Sequence, residues 1–354
     1  MNVFLVIPTL KQGGAERVIS EIANELCNRS DIEVHLILLA KSDDFYKIDN
    51  RVVLHRLEFT NNGHVKKIIA ELVIFLKLRY LLKKYEPKVV LSFMDKYNVF
   101  TILASSFLGV RVFISDRSNP KLPQSLYLRS IKKLTYRHAT GIIAQTSLAK
   151  DIIESFSRNK NIKVIPNPVK EVQLYPQIPR EKIIINIGRM VPEKGQDFLL
   201  QAFAKLEARD WKLVILGDGP LRNNLQSNVV KLGLTDTVIM PGAVKDVDKW
   251  LAKSSIFVLS SISEGFPNSL MEAMAAGLPC ISFDCDAGPR DIIKNEVNGL
   301  LVDEGNINEL VDKLNSLIID TELAKKIAEN ALLVRRKYHI QSIGKRYLDF
   351  LLNE

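Results

Sequence analysis

IFVLSSISEGFPNSLMEAMAAG, residues 256–277, places a strand, a loop and a helix in immediate succession. The β-branched run up to Ser261 has strand character. Pro267 suits a first helical turn, where its missing N–H costs nothing, so the backbone N–H groups of about Phe266 to Leu270 stand at the positive end of the helix that follows. Glu264 lies at the mouth of that turn and Glu272 two turns along an otherwise apolar helix. A carboxylate at a helix N-terminus gains from the dipole whatever its function, which accounts for Glu264 but poorly for Glu272. Amides that hold a phosphate, flanked by two carboxylates that accept hydroxyl hydrogen bonds, suit a diphosphate with a hydroxylated ring at each end.

Outward from this unit, short β-branched runs alternate with longer stretches of helical period. The expected strands are 3–7, 34–39, 52–57, 88–93, 110–115 and 141–146, then 182–187, 212–217, 237–241, 256–261, 279–283 and 299–302. Such alternation builds parallel sheets crossed over by helices. A chain of 354 residues exceeds one ordinary core, so two doubly wound α/β units are expected. Residues 166–180, PNPVKEVQLYPQIPR, hold four prolines and little periodicity and read as the linker. The boundary falls near Pro168, giving domains 1–168 and 169–337. The final stretch, 320–352, is helical in pattern with no strand after it, so it caps one domain or crosses back; 338–354 is expected to complete the first.

Hydrophobic residues make up 47% of the chain, enough for sizeable cores and too many for disorder. The three cysteines form no CxxC pair and no signal peptide is legible, so a disulfide framework or zinc site is not expected and a reducing cytoplasm fits. No run of about 18 apolar residues spans a bilayer. The net charge of +9 is uneven: residues 1–170 hold 27 Lys+Arg against 15 Asp+Glu, and the remainder 22 against 25. From Arg117 to Lys150 there are seven basic residues (Arg117, Lys121, Arg129, Lys132, Lys133, Arg137, Lys150) and no acidic one. Such a surplus suits phosphates of nucleic acid, anionic lipid or a pyrophosphate-linked substrate, and charge alone does not choose among them. Residues 65–85 add a broad apolar face with Lys66, Lys67, Lys77, Arg79, Lys83 and Lys84. They read either as an amphipathic helix on anionic lipid or as an ordinary crossover helix with a solvated basic face.

Two more turns carry anion chemistry. After the first strand, Gly13-Gly14 opens a helix and lets backbone N–H groups approach an anion, though a tight strand-to-helix turn explains it too. It lacks GxGxxG and an acidic residue well placed after the second strand, which disfavours dinucleotide binding. After the strand ending at Ile187, Gly188, Arg189 and Lys194 bring two cations onto one loop, a clamp for a departing diphosphate or a solvated surface pair. Two DxD matches, Asp246-Val247-Asp248 and Asp284-Cys285-Asp286, are weak metal candidates, and the five histidines show no HxxxH or HExxH spacing.

Taken together, Glu264-x7-Glu272, Gly13-Gly14, Gly188-Arg189 with Glu193-Lys194-Gly195, Leu216-Gly217-Asp218-Gly219-Pro220-Leu221 and Asn298-Gly299-Leu300-Leu301-Val302 closely resemble family 4 of the retaining glycosyltransferases, in order and over nearly the whole chain. The members it resembles most extend lipid-linked oligosaccharides in bacterial O-antigen, capsule or glycoprotein-glycan assembly. The resemblance implies the GT-B fold, two Rossmann-like domains facing across a cleft with C-terminal helices crossing back. It implies donor contacts as follows. Gly13 and Gly14 lie near the donor phosphate and the acceptor, Gly188, Arg189 and Lys194 at the diphosphate, Glu264 at the transferred sugar and Glu272 at the ribose. Gly265, Phe266, Pro267, Asn268, Ser269 and Leu270 contribute phosphate and sugar contacts, while Gly217, Gly219, Leu221 and Val244 border the nucleobase. No metal or other cofactor is implied.

One departure concerns the first domain. Relatives often carry a histidine that hydrogen-bonds the donor sugar, and here the corresponding stretch is Ser115-Asp116-Arg117-Ser118-Asn119-Pro120. Arg117 stands in its place. A permanently charged arginine is no general base, so it would orient the sugar or bind acceptor phosphate, or else be a plain basic surface residue. The expectation is a retaining, metal-independent enzyme that takes a nucleotide sugar, a uridine diphosphate sugar by analogy, to a polyprenyl-pyrophosphate-linked or other saccharide at the anionic inner face of the cytoplasmic membrane. Catalysis is expected from Arg189, Lys194, Glu264 and Arg117. A nucleotide-sugar 2-epimerase and a non-catalytic nucleotide-sugar-binding module are the alternatives. With no nucleic-acid motif in the basic half, nucleic acid is not an expected partner.

Overall fold

The computed structural model describes residues 1–58, 64–117, 119 and 125–352, the side chains of 64–67 excepted. The chain divides into two compact units, Met1–Pro168 with Ile340–Glu354, and Val169–His339.

The first unit runs β1 (Asn2–Ile7), α1 (Gly14–Leu26), β2 (Glu33–Leu38), β3 (Val53–Arg56), α2 (His64–Tyr85), β4 (Val89–Phe93), α3 (Asp95–Ser105), β5 (Arg111–Ser115), α4 (Leu126–Thr135), β6 (Gly141–Ala144), α5 (Ser147–Ser157) and β7 (Ile162–Val164). Its seven strands are ordered β3-β2-β1-β4-β5-β6-β7, and every pairing is parallel. Helices cover both faces of a parallel sheet, so the strands read as unbroken apolar runs rather than as alternation. Phe4, Val6, Ile37 and Val90 pack against Ile74, Leu78 and Leu82 of α2 on one side. Val112, Ile114, Ile142 and Ala144 pack among Val99, Ile102, Tyr136 and Ile153 in a second cluster. Strand β7 was not among the expected strands: three residues beside the proline-rich linker leave almost no pattern to read.

The second unit runs β8 (Ile183–Ile187), α6 (Gln196–Ala204), β9 (Lys212–Leu216), α7 (Arg222–Lys231), β10 (Val238–Gly242), α8 (Val247–Lys253), β11 (Ile256–Leu259), α9 (Asn268–Ala275), β12 (Cys280–Phe283), α10 (Pro289–Ile292), β13 (Leu300–Val302), α11 (Ile307–Ile319), α12 (Thr321–Ala331) and α13 (Val334–Lys337). Its six strands are ordered β10-β9-β8-β11-β12-β13, again all parallel, around a core that includes Ile184, Leu213, Ile215, Val258, Ile281 and Phe283.

The terminal helix α14 (Ile340–Leu352) packs on the first unit. Arg111 donates to the Leu351 carbonyl at 2.7 Å, Arg346 donates to the Val164 carbonyl at 2.6 Å, and Phe350 meets Phe113 edge-on with centroids 5.2 Å apart. Gly141 makes room for that packing, since a Cβ there would lie 2.7 Å from the Phe350 ring. Among the described residues no helix is long and apolar enough to cross a membrane.

Candidate active site

In the second unit the chain steps from β8 to β9 and β10 in one direction, then returns to β11, β12 and β13 on the other side of β8. The loops leaving the carboxyl ends of β8 and β11 therefore diverge, which opens the crevice where doubly wound sheets bind ligands. Residues 188–195 follow β8 and residues 260–267 follow β11, so topology alone brings Lys194 beside Glu264. The two loops are also stitched together: the Ile262 N–H donates to the Glu193 carbonyl at 3.0 Å and the Ser260 hydroxyl donates to the Lys194 carbonyl at 3.0 Å.

At that junction Lys194 Nζ lies 2.5 Å from Glu264 Oε1, and the Ser261 hydroxyl donates to the same oxygen at 2.7 Å. Glu264 is 7% exposed, so its carboxyl group is buried and held from two sides. The sequence assigned these residues to different parts of a donor; the structure makes them one ion pair. Ser261 was not a candidate, because nothing in a strand-end serine separates a carboxylate ligand from a packing residue. Cys285 lies near enough for the Glu264 charge to act on it, but burial is the larger cause that pushes its thiol up to about 12. It is a packing group and not a thiolate nucleophile.

Helix α9 begins beside this pair, with Phe266 and Pro267 buried and the Asn268 N–H bonded to the Phe266 carbonyl at 3.0 Å. Helix geometry leaves the first N–H groups, those of Ser269 and Leu270 among them, outside the intrahelical ladder. Glu272 is half-buried one turn further on, while its neighbours Met271, Ala273 and Met274 are buried in the core. The loop after β12 presses on the same turn: Gly288 has φ +100°, and a Cβ there would lie 2.3 Å from Pro267 Cδ. Gly265 sits half-buried between Glu264 and Phe266.

A third loop follows β9. The Gly188 N–H donates to the Leu216 carbonyl, the Met190 N–H to the Asp218 carbonyl and the Leu221 N–H to the Met190 carbonyl, at 3.0, 2.9 and 3.0 Å. Gly217 and Gly219 are thereby locked against residues 188–190. Leu221 is partly buried on the core, and Val244 is half-buried beyond β10. The Arg189 side chain is exposed, and its carbonyl accepts from Gln196 at 3.0 Å.

Three of the four DxD carboxylates, Asp246, Asp248 and Asp284, have structural partners. Asp246 caps α8 through the Lys249 N–H at 3.0 Å and accepts from the Tyr175 hydroxyl at 3.0 Å. Asp248 meets Lys170 at 3.1 Å, and Asp284 meets Arg290 at 2.6 Å. Among the described residues no group of three or more His, Cys, Asp or Glu is placed to hold a metal ion. A cavity of about 500 Å³ lies at the opposite edge of the sheet, lined by Trp211, Ile256, Pro279 and Leu332 among others. Its Arg180 donates to four backbone carbonyls, of Leu251, Ser254, Ala276 and Gly277, which spends that guanidinium on holding the linker.

In the first unit the equivalent crevice lies at the carboxyl ends of β1 and β4. Gly13 precedes α1 there, and Tyr46, which sequence reasoning missed, both accepts from the Gly13 N–H at 3.3 Å and donates to its carbonyl at 2.9 Å. Gly14 begins the helix. Arg117 is not a solvated surface residue. Its guanidinium lies 4.1 Å over the Phe93 ring and donates to Asn167 Oδ1 and the Tyr347 hydroxyl. Lys132 likewise leaves the expected basic surface, being buried between Asp95 and Asp116 at 3.0 and 2.7 Å. Ser118, Pro120 and Lys121, and the side chains of Lys66 and Lys67, lie outside the described residues.

Comparison with known proteins adds three findings. Residues 12–172 match the model of Glycosyltransferase Family 4, and residues 174–333 match that of Glycosyl transferases group 1. The chain is 30% identical, over 99% of its length and 98% of the relative's, to a Campylobacter jejuni GalNAc-alpha-(1->4)-GalNAc-alpha-(1->3)-diNAcBac-PP-undecaprenol alpha-1,4-N-acetyl-D-galactosaminyltransferase. It is 26% identical, over 96% of each chain, to the amylovoran biosynthesis glycosyltransferase AmsD of Erwinia amylovora. Among solved structures, Anabaena HepE in complex with UDP superposes with a TM-score of 0.85 at 21% identity, and the lipopolysaccharide outer core galactosyltransferase WaaB with 0.81 at 23%, each covering 99% of both chains.

Proposed function

The chain belongs to glycosyltransferase family 4, with the GT-B fold, and from that membership we propose that it transfers a hexose or N-acetylhexosamine, with retention and without a metal, from a nucleotide sugar to a lipid-linked saccharide. The observation that carries this reading is the convergence of Lys194, Glu264 and the α9 amide turn at the crevice between β8 and β11. Relatives named for undecaprenol-linked acceptors, and solved neighbours holding UDP and UDP-glucose, support a uridine diphosphate donor and a polyprenyl-pyrophosphate acceptor.

In this reading Arg189, Lys194 and the free amides at the start of α9, those of Ser269 and Leu270, hold the diphosphate, Glu264 takes hydroxyls of the transferred sugar, and Glu272 takes the ribose. Lys194 balances the buried Glu264 before the donor arrives and the diphosphate as charge grows on it, so its ammonium is useful in both states. The diphosphate leaves on the side where the acceptor hydroxyl arrives and takes its proton, while the enzyme supplies positioning. Incubating the protein with a panel of nucleotide sugars and a polyprenyl-pyrophosphate saccharide, read by mass spectrometry, should give a product one sugar heavier with chelator present. A sugar epimer formed from donor alone would overturn the transferase reaction, and loss of transfer with chelator would overturn metal independence.

The acceptor side draws on α2. Its inner face packs on the sheet through Ile74, Leu78 and Leu82, yet Ile68, Ile69, Leu72, Val73, Leu76 and Tyr80 form an outer stripe between 44% and 70% exposed. The helix is the crossover helix of one sequence reading, and its second apolar face supports the lipid-surface reading. Its basic complement is thinner than the sequence suggests: Arg79 donates to the Ala104 and Ser106 carbonyls at 2.9 and 2.8 Å, and Lys77 to the Leu57 carbonyl at 3.3 Å. An apolar stripe of this extent, on the unit that carries the positive surplus, fits the interface of an anionic bilayer. Flotation with phosphatidylglycerol vesicles should recover the wild type, and L72E/L76E should cut the bound fraction about tenfold or more. Equal flotation of the two proteins would remove α2 from the membrane surface.

A further inference from the structure

We infer that Asp95 and Asp116 act as a positioning pair that shares one proton over Lys132, and that loss of this proton shifts Arg117 at the ligand-facing edge of the first unit. Sheet topology makes the pair. Asp95 follows β4 by one residue and Asp116 directly follows β5; Phe93 and Ser115 are register partners, so both carboxylates leave adjacent strand ends at the same edge. Lys132 reaches up from α4 and meets Oδ2 of each, at 3.0 and 2.7 Å, with all three side chains buried. Two carboxylates on one ammonium leave an excess negative charge in a buried place, and a proton removes it.

The other groups facing the cluster agree with that account. The Tyr136 hydroxyl lies 3.3 Å from Asp116 Oδ2 and is held protonated, mainly by burial and then by the two aspartates. Asn98 donates to Tyr136 at 3.4 Å and to the Ser115 carbonyl at 3.0 Å. Arg117, the next residue along, faces Asp116 and also Arg17 of α1. Burial first, then the charge of Asp116, pushes the Asp95 carboxyl up to about 7. Backbone strain marks the same spot: Met94, immediately before Asp95, sits at φ +76° without being a glycine. A buried ion cluster is weak evidence for stability, since a packed apolar set does as well. Its place beside the β1/β4 crevice, with Arg117 attached, points to positioning.

Asp95 holds a proton in the folded chain that the unfolded chain has lost, so its contribution to stability is present below pH 3.8 and lost as pH rises toward 7. Above that the second carboxylate ionises, the pair repels across Lys132, and Asp116 moves with Arg117. In protein labelled with 13C at aspartate Cγ, NMR should show one carboxyl titrating near neutrality. Asp95→Asn should remove it, and Asp116→Asn should lower it, because Lys132 then serves a single carboxylate while burial still acts on Asp95. The kinetic arm rests on the transferase reading: transfer by the wild type should fall on the order of tenfold between pH 6.5 and 8.5, and Asp95→Asn should flatten that fall. A spectrum with every aspartate ionised by pH 6 overturns the pair, and so does an unchanged alkaline limb in Asp95→Asn. A near-neutral titration in a protein that transfers no sugar counts against the transferase reading and leaves the proton pair standing.

Discussion

Lys194→Ala should slow transfer at saturating donor by roughly ten- to a hundredfold, about 1.5 to 3 kcal/mol, the usual scale for a hydrogen bond to a charged group. The structure adds a second consequence that the loop sequence alone does not contain. With Lys194 gone, Glu264 keeps the Ser261 hydroxyl at 2.7 Å but loses the ammonium at 2.5 Å, leaving a carboxylate 7% exposed without its counter-ion. Breaking such a pair from one side is costly, so the variant should also melt earlier than the wild type. Lys194→Ala with Glu264→Gln should recover much of that melting loss, because the neutral amide needs no cation, while transfer stays low. A double mutant whose stability losses simply add would show that the two groups are not coupled. Glu272→Ala is the contrasting case: half-buried on α9, it should weaken donor binding by about 1.5 to 3 kcal/mol and leave the saturated rate nearer to wild type. Near wild-type kinetics in both single variants would sink the assignment of the donor site.

That contrast shows what a linear reading can supply. Alternation of apolar runs is set by burial on both faces of a parallel sheet, so twelve of the thirteen strands among the described residues were legible and β7, only three residues long, was not. Motifs tied to one turn were equally legible, since a glycine pair, a proline at a helix start or two glutamates two turns apart have local physical causes. Partnerships between loops were not. Nothing near Tyr46 or Gly288 announces a contact with Gly13 or Pro267, because strand order creates both meetings, and the bond from Ser261 to Glu264 depends on the turn their shared loop takes. Charge was misread for a related reason. A count of basic residues from 117 to 150 treats Lys132 and Arg117 as surface, whereas folding takes one between two aspartates and the other onto Phe93 beside Tyr347 and Asn167.

Gly217→Ala and Gly195→Ala should abolish most transfer without altering a single candidate side chain. A Cβ at 217 would lie 2.0 Å from the Gly188 carbonyl oxygen, and one at 195 would lie 2.2 Å from the Ser260 carbonyl oxygen. Backbone oxygens cannot step aside as a side-chain tip does, so in each variant a loop must move, and these are the loops that carry Arg189, Lys194 and Glu264. Their φ values of +130° and +57° add conformational strain of about 1 to 3 kcal/mol. For a unit of this size each kcal/mol lowers the melting midpoint by roughly 2 to 4 °C. Gly233→Ala separates the two causes, since Gly233 has φ +70° but open space around its missing Cβ. It should melt slightly earlier and keep transfer. If all three variants behave alike, strain alone is at work and the loops are not interlocked; if only Gly195→Ala and Gly217→Ala lose transfer, close backbone packing across the β8, β9 and β11 loops is what holds Lys194 and Glu264 in place.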